Sequence, residues 1–205
     1  ITVYRLHVMT RIEKNQLTTL ILAGGKSSRM GGVDKGLLKI NDKYLVCHLE
    51  SLAKKYSNDV LVNVNRNIDT YESLGLNICK DFMDGFQGPL AGMYTGLKLA
   101  KTKYIITMPC DGPFVKKNYF QKMIEIEEGF NINVAYDGDR IQPVYSLINC
   151  DLINSLDQFL KTGQRKIDKW YSNCSTNQID FSDDKEMFIN INDQNELKKY
   201  ENIAI

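Results

Sequence analysis

The fold of this chain is decided by the stretch TTLILAGGKSSRMGGVDKG, which occupies residues 18–36. Residues 18–23 form an apolar run with the length of a buried β-strand. The run stops at Gly24 and Gly25, where the backbone can turn sharply and approach another molecule closely because it carries no side chain. Basic residues and two further glycines follow. A strand that leads into a glycine-rich, cation-bearing loop is typical of phosphate binding, because backbone N–H groups and positive side chains converge on the anion.

Two common phosphate-binding patterns do not fit this loop. Gly25, Lys26 and Ser27 match the last three letters of the Walker A pattern, but its first glycine would fall at Leu20, inside the predicted strand. The dinucleotide pattern G-x-G-x-x-G fails because Gly24 and Gly25 are adjacent. The loop therefore belongs to neither of these classes.

Length and composition indicate an ordinary globular domain. The chain has 205 residues, of which 43% are hydrophobic and 25% are charged, and we expect one domain over residues 17–205. Residues 1–16 begin with Ile and mix basic with apolar side chains, which is not the pattern of a signal peptide. We expect this segment to be an N-terminal extension, either clipped or introduced by cloning.

Charge and cysteine content exclude several classes of function. The net charge of +1 gives no general field that would attract nucleic acid, so no nucleic-acid partner is expected. No apolar run approaches the roughly 20 residues of a membrane span, so no membrane partner is expected either. The five cysteines are odd in number and contain no C-x-x-C pair. They argue against a disulfide framework or a thiolate zinc site and favour a cytoplasmic location.

Apolar periodicity predicts alternating strands and helices. Strands are predicted at 18–23, 60–65, 76–80, 104–108, 132–136, 142–148 and 188–192. Helices are predicted at 43–56, 71–74, 90–100, 119–128, 151–160 and 167–171, with another after Asp193. This alternation predicts an α/β fold with three layers, in which a mostly parallel twisted sheet carries helices on both faces.

Polar residues and glycines mark the carboxyl ends of the predicted strands. Gly24, Asn63, Asp81 and Asp111 each fall at or near such an end. In open α/β sheets these ends meet at one edge, where ligands bind. Asp111 follows a buried strand between two prolines, and a carboxylate on so stiff a turn can hold Mg²⁺. The alternative is an aspartate that only bonds its own turn.

The loop resembles the signature of Rossmann-like nucleotidyltransferases. The matching letters are LAGG at 22–25, SRMG at 28–31 and DK at 34–35. The fuller run RMGGVDKGL at 29–37 most resembles the molybdenum cofactor guanylyltransferase family. An alternative reading is a pair of glycine turns whose cations are merely solvated.

The resemblance implies a set of site residues and a cofactor. It gives Lys35, Arg29 and Asp111 catalytic roles and places Mg²⁺ on Asp111. The nucleotide-binding residues that it implies are Leu22, Ala23, Gly24, Gly25, Lys35, Asn63, Asp81 and Asp111. An aspartate such as Asp81 can accept hydrogen bonds from guanine or from ribose, and the sequence does not choose between them. Residues 188–192 resemble the family segment that faces the pterin.

The function implied by the resemblance is Mg²⁺-dependent transfer of GMP from GTP to Mo-molybdopterin, which yields the molybdopterin guanine dinucleotide cofactor and pyrophosphate. The resemblance also implies partner proteins that deliver molybdopterin or receive the cofactor. One alternative is a related transferase that uses CTP or a sugar-phosphate acceptor. Another is a nucleotide-binding module without catalysis, against which the presence of both Lys35 and Asp111 counts. Pyrophosphate release from each of four nucleoside triphosphates distinguishes these alternatives.

Overall fold

Residues 8–25, 34–83 and 88–200 are described by a computed structural model of the chain. The strands are β1 Met9–Arg11, β2 Leu17–Leu22, β3 Lys39–Ile40, β4 Lys43–Tyr44, β5 Asp59–Asn63, β6 Ile78–Cys79, β7 Tyr104–Pro109, β8 Glu125–Glu127, β9 Ile132–Tyr136, β10 Ile141–Asn149 and β11 Thr176–Asp180. The helices are α1 Leu45–Ala53, α2 Ile68–Ser73, α3 Pro89–Leu99, α4 Lys117–Met123, α5 Ile153–Lys161, α6 Ile167–Tyr171 and α7 Gln194–Lys198. Short 3₁₀ segments lie at Lys14–Gln16, Lys35–Leu37, Cys150–Leu152 and Ser182–Phe188.

The central sheet has seven strands in the order β11-β9-β10-β7-β2-β5-β6. Strands β7, β2, β5 and β6 are parallel, as are β11 and β9, whereas β10 runs antiparallel to both of its neighbours. Strand β2 therefore lies in the middle of a parallel block whose carboxyl ends form one edge. The mostly parallel sheet predicted from the sequence is confirmed.

Helices cover both faces of this sheet because successive strand residues point to opposite sides. On β2, Ile21 joins the core under α1 and α4, whereas Leu20 and Leu22 join the core under α3, α5 and α6. Helix α3 approaches β2 closely at Gly92 and Gly96, where an added Cβ would lie 2.5 Å from Leu22 Cδ2 and Leu20 Cδ2, respectively. The predicted three-layer arrangement is thus confirmed.

Several predicted elements differ from the structure. The helix predicted over 119–128 ends at Met123, because residues 125–127 form β8 and pair with β1. The strand predicted at 188–192 is wrong: Phe188 ends a 3₁₀ segment, and residues 189–192 belong to none of the described ladders. The polar strand β11 was not predicted, although it pairs in parallel with β9 over its full length.

Residues before 17 also pack on the domain. Strand β1 pairs with β8, and Ile12 is 3% exposed within the main core. The division of the chain at residue 17 stays a prediction. Among the described residues, a helix long and apolar enough to cross a membrane is absent.

Candidate active site

The strand register brings the sequence-predicted site residues to one edge of the sheet. Leu22 lies opposite Asn63 on one neighbour and opposite Pro109 on the other. Backbone hydrogen bonds continue past the strands, from Ala23 N to Asn63 O at 2.8 Å and from Cys110 N to Leu22 O at 3.0 Å. The start of the glycine loop is therefore held by hydrogen bonds between the ends of β5 and β7.

Two glycines leave room for the amide of Asn63. A Cβ on Gly24 would lie 3.0 Å from Asn63 Oδ1 and 2.6 Å from Asn65 Nδ2. A Cβ on Gly92 would lie 2.5 Å from the same Asn63 oxygen. The side chain of Asn63 is 2% exposed, so it cannot move away into solvent. Glycine at both positions is required by close packing around one buried amide.

Asp81 is held at this edge by two asparagines. Its Oδ1 accepts from Asn63 Nδ2 and its Oδ2 accepts from Asn65 Nδ2, both at 2.8 Å. The Asp81 backbone N–H donates in return to Asn65 Oδ1 at 3.0 Å. The carboxylate is thus fixed by neutral amides, and within the described part of the chain each of its oxygens keeps a second acceptor position.

Asp34 anchors the far end of the loop. This carboxylate is 8% exposed and accepts from Gly36 N at 3.2 Å, from Asn67 Nδ2 at 2.9 Å and from the Tyr71 hydroxyl at 2.7 Å. Arg66 Nε lies 3.7 Å from its Oδ2. These neighbours set the position of Asp34 and, through the chain, of the adjacent Lys35.

Lys35 contacts both sides of the cleft. Its ammonium donates to Asp111 Oδ2 at 2.9 Å and to Asn192 Oδ1 at 2.7 Å. The side chains of Lys35 and Asp111 are 27% and 16% exposed, respectively, so the pair is partly screened from solvent but open to a ligand. The Ile191 N–H donates to Asp111 O at 2.7 Å, which brings Asn192 to this position.

These residues line a cleft of about 1120 Å³ over the carboxyl ends of the parallel strands. The glycine loop, Lys35, Asn63, Asp81 and Asp111 form one side. Residues of the segment 190–199 form the other side, and residues of β10, the neighbour of β7 in the sheet, complete the lining. A second cavity of about 350 Å³ lies beside α1, away from the strand ends. The larger cleft is the candidate active site because the fixed polar groups converge on it.

Asp111 fits a Mg²⁺ ion whose remaining coordination positions are filled by substrate phosphates and water. Among the described residues, no group of three or more His, Cys, Asp or Glu side chains could hold an ion by itself. Mg²⁺ is commonly bound through one or two carboxylates together with substrate phosphates and water. Asp111 is a partly exposed carboxylate at the cleft, so it can supply the protein ligand of such a site. The ion would share this carboxylate with the Lys35 ammonium.

Burial keeps the polar groups beneath the cleft un-ionised. It raises the pKa of the Cys110 thiol well above its ordinary value and raises the pKa of the Cys79 thiol to about 12. The pKa of Tyr145 is also raised, chiefly by burial and further by the nearby Asp111. The Tyr145 hydroxyl fills the space that a Cβ on Gly112 would need. Cys110 and Tyr145 pack beside Asp111, whereas Cys79 packs beside Asn63 and Asp81.

The structure brings together most of the predicted site. Leu22, Ala23, Gly24, Gly25, Lys35, Asn63, Asp81 and Asp111 all line the cleft, whereas Arg29 lies outside the described residues. Asn192 and Glu196 were not predicted as site residues, nor was Asn65. The sequence signal for Asn192 was its place in the segment that resembles the pterin-facing part of the family. No sequence signal identified Glu196.

Comparison with known proteins identifies the family of this chain. Residues 19–176 match the MobA-like NTP transferase domain family. A molybdenum cofactor guanylyltransferase of Vibrio campbellii is 37% identical over 190 residues, which cover 92% of this chain and 97% of the relative. One from Cupriavidus metallidurans is 39% identical over 197 residues, which cover 93% and 97%.

The fold also matches a solved structure. The crystal structure of molybdopterin-guanine dinucleotide biosynthesis protein A from Archaeoglobus fulgidus superposes with a TM-score of 0.72 at 19% identity, covering 91% of this chain and 97% of the other. At that identity the likeness shows the fold. The resemblance stated from the sequence is confirmed by the family match and by the relatives. The chain belongs to the MobA-like NTP transferase family and is a nucleotidyltransferase.

Proposed function

We propose that the cleft binds GTP and that the protein transfers its GMP moiety to the terminal phosphate of Mo-molybdopterin. A phosphate oxygen of the acceptor attacks the α-phosphorus, the bond to the pyrophosphate breaks, and molybdopterin guanine dinucleotide forms. The attacking phosphate is already ionised at neutral pH, so the step requires no general base. The activity is supported by the guanylyltransferase relatives that the chain matches over most of its length.

The observation that carries the chemistry is the placement of Lys35. Lys35 lines the cleft, and its ammonium is oriented by Asp111 at 2.9 Å and Asn192 at 2.7 Å. Negative charge grows on the α-phosphate oxygens as the bonds exchange, and a preoriented cation stabilises that charge most strongly in the transition state. Arg29 remains a predicted second cation.

We place Mg²⁺ on Asp111. When bound, the ion would neutralise triphosphate oxygens and ease the departure of pyrophosphate. Asp111→Asn keeps the shape of the side chain but removes the charge, so GTP should still dock while turnover nearly vanishes. Product formation measured against Mg²⁺ concentration at saturating GTP should show partial rescue at high Mg²⁺. Full activity of Asp111→Asn with the Mg²⁺ dependence of the wild type would show that Asp111 does not hold the ion.

Asp81 supports a preference for guanine. Each of its oxygens keeps an acceptor position, and guanine presents two neighbouring donors, N1–H and the N2 amino group. Adenine and cytosine do not present this pair. We therefore assign Asp81 to the base rather than to the ribose, with Asn63 and Asn65 holding it in place.

Calorimetry with four nucleoside triphosphates tests this assignment on the wild type and on Asp81→Asn. A base contact predicts that only GTP binding weakens in the variant, whereas a ribose contact predicts equal weakening for all four. Pyrophosphate release with molybdopterin as acceptor tests the activity. A preference for CTP would identify a cytidylyltransferase, and release from none of the four would indicate a binding module.

From the sequence alone, we also propose partner proteins that deliver molybdopterin or receive the finished cofactor. We propose the cytoplasm as the location on the same basis.

A further inference from the structure

We infer that Glu196 is a positioning residue for Lys35, acting through Asn192. The inference rests on the proposed function, in which Lys35 stabilises the transferring phosphate. Glu196 lies on α7 and does not contact Lys35. It lies across the cleft from the sheet, in a part of the chain that the sequence did not mark as catalytic.

Three hydrogen bonds link Glu196 to the ammonium. Glu196 Oε2 accepts from the Asn192 backbone N–H at 2.8 Å and from Asn192 Nδ2 at 3.1 Å. The opposite end of the same carboxamide, Asn192 Oδ1, accepts from Lys35 Nζ at 2.7 Å. Asp111 Oδ2 is the second acceptor of the Lys35 ammonium, at 2.9 Å.

The carboxamide of Asn192 has a donor end and an acceptor end, and Glu196 decides which end faces Lys35. A flipped amide would place its NH₂ group against the ammonium and its oxygen against the carboxylate, which makes two repulsive contacts. Glu196 therefore holds the amide oxygen toward Lys35. Among the described residues, two acceptors contact the ammonium, so its third N–H is available for a phosphate oxygen in the cleft.

Ordinary helix capping does not account for this geometry. Asp193 caps α7 by accepting from Glu196 N at 2.8 Å. In a capping box, the residue at the position of Glu196 would return its side chain to the backbone N–H of the cap residue itself. Here the Glu196 carboxylate reaches one residue further back and accepts from both the backbone and the side chain of Asn192. The carboxylate is directed at the residue that contacts Lys35.

The first test compares Glu196→Ala with Glu196→Gln. The alanine variant should lose roughly tenfold or more in kcat, the scale of one lost hydrogen bond to a charged group, with a smaller change in the KM for GTP. Glutamine keeps an acceptor oxygen and should lose only a few-fold. Glu186→Gln removes an exposed carboxylate from the same part of the chain and serves as the control, with wild-type kcat.

A polarity swap provides a second test that depends on orientation. Asn192→Asp alone places two carboxylates against each other and should lower kcat at least as far as Glu196→Ala. Adding Glu196→Gln supplies an amide that donates to the carboxylate introduced at position 192, and that carboxylate still accepts from Lys35. The double variant should recover kcat to within a few-fold of wild type. If Glu196 only stabilised α7, the second change would restore thermal stability without restoring kcat.

A readout without nucleotide separates this inference from the proposed function. Nuclear magnetic resonance of the ¹⁵N-labelled ammonium of Lys35 should show a protected signal in the wild type and in Glu186→Gln that is lost in Glu196→Ala. If that pattern holds but GTP is not a substrate, the positioning role stands and the proposed function fails. Unchanged kcat in Glu196→Ala, an unchanged Lys35 signal, or no recovery in the double variant would overturn the inference.

Discussion

The two walls of the cleft are built in different ways. The wall of strand ends is fixed by the sheet, because β2 is hydrogen-bonded along its length to β5 and β7. The opposite wall includes residues 189–198, which lie outside the described ladders and contact the sheet edge through Ile191 and Asn192. The first wall supplies fixed groups at strand ends, whereas the second supplies Asn192 from a separately packed segment.

The apolar contacts of the second wall are also separate. Ile191 and Leu197 pack with Leu38, Ile40, Leu45 and Phe114 in a small core of their own. Leu20 of β2 packs in the larger core between the sheet and α3. We therefore expect one wall to loosen without the other, and catalysis to require both because Lys35 contacts both.

The largest expected effect comes from removing a core leucine from either wall. Leu20 and Leu197 are both fully buried, and a Leu→Ala change at such sites costs about 2–5 kcal/mol. Leu20→Ala should lower the global free energy of unfolding. Leu197→Ala should raise amide exchange mainly in residues 189–198 while β2 and β5 stay protected. Hydrogen exchange measured by mass spectrometry distinguishes the two, and equal loss of protection across the sheet in Leu197→Ala would contradict the separation.

Lys35→Ala should lower turnover by ~10²-fold or more, since a preoriented electrostatic group at a transition state is typically worth about 3 kcal/mol. The fold should persist because the ammonium is partly exposed. Lys103→Ala is the matched control, since Lys103 is an exposed lysine at the opposite end of the strand that leads to Asp111. Steady-state kinetics with GTP measures both variants. Near wild-type turnover in Lys35→Ala would show that Lys35, the residue that contacts both walls, is not catalytic.

The strand-end wall could be predicted from the sequence far better than the segment opposite it. Most of the parallel block was predictable because β2, β5 and β7 are largely apolar runs followed by glycine or a polar residue, as at Gly24 and Asn63. Their convergence followed from the geometry of parallel sheets. The glycine loop and Asp111 were found for the same reason, since each follows directly from a buried strand.

The second wall was not predictable in the same way. Residues 188–192 alternate apolar and polar side chains like a strand, but the apolar ones pack on Tyr145 and on the small core instead of a sheet face. Glu125–Glu127 continues a helical pattern and becomes a strand only because Met9–Arg11 pairs with it. Thr176–Asp180 is too polar to indicate a strand. Contacts between distant parts of the chain decided all three.

A smaller effect is expected from the glycines of α3. Gly92→Ala places a methyl group 2.5 Å from Asn63 Oδ1 and from Leu22 Cδ2, so it should cost about 1–3 kcal/mol and also weaken GTP binding. The three atoms nearest to a Cβ on Gly96 all belong to Leu20, so Gly96→Ala should cost a similar amount of stability and leave GTP affinity unchanged. Thermal unfolding and calorimetry measure the two effects. A Gly92→Ala variant that binds GTP as tightly as the wild type would show that GTP binding does not depend on the present position of Asn63.

The smallest expected effect is in thiol reactivity, and it tests whether the strand-end wall stays closed when the other wall loosens. The thiolate is the reactive form, so a thiol whose pKa is near 12 is ionised in only about one molecule in ten thousand at pH 8. Burial gives Cys79 such a pKa and raises the pKa of Cys110 well above its ordinary value. Iodoacetamide should therefore label half-buried Cys47 on α1 before buried Cys79 and Cys110, whose labelling should be slow and rise with pH. The same order should hold in Leu197→Ala, because Cys110 lies beneath Gly36 in the strand-end wall and not in the small core around Leu197. Mass spectrometry of the labelled peptides measures the rates. Fast labelling of Cys110 in Leu197→Ala alone would show that the two walls open together, and the site would then have to be treated as one cooperative unit.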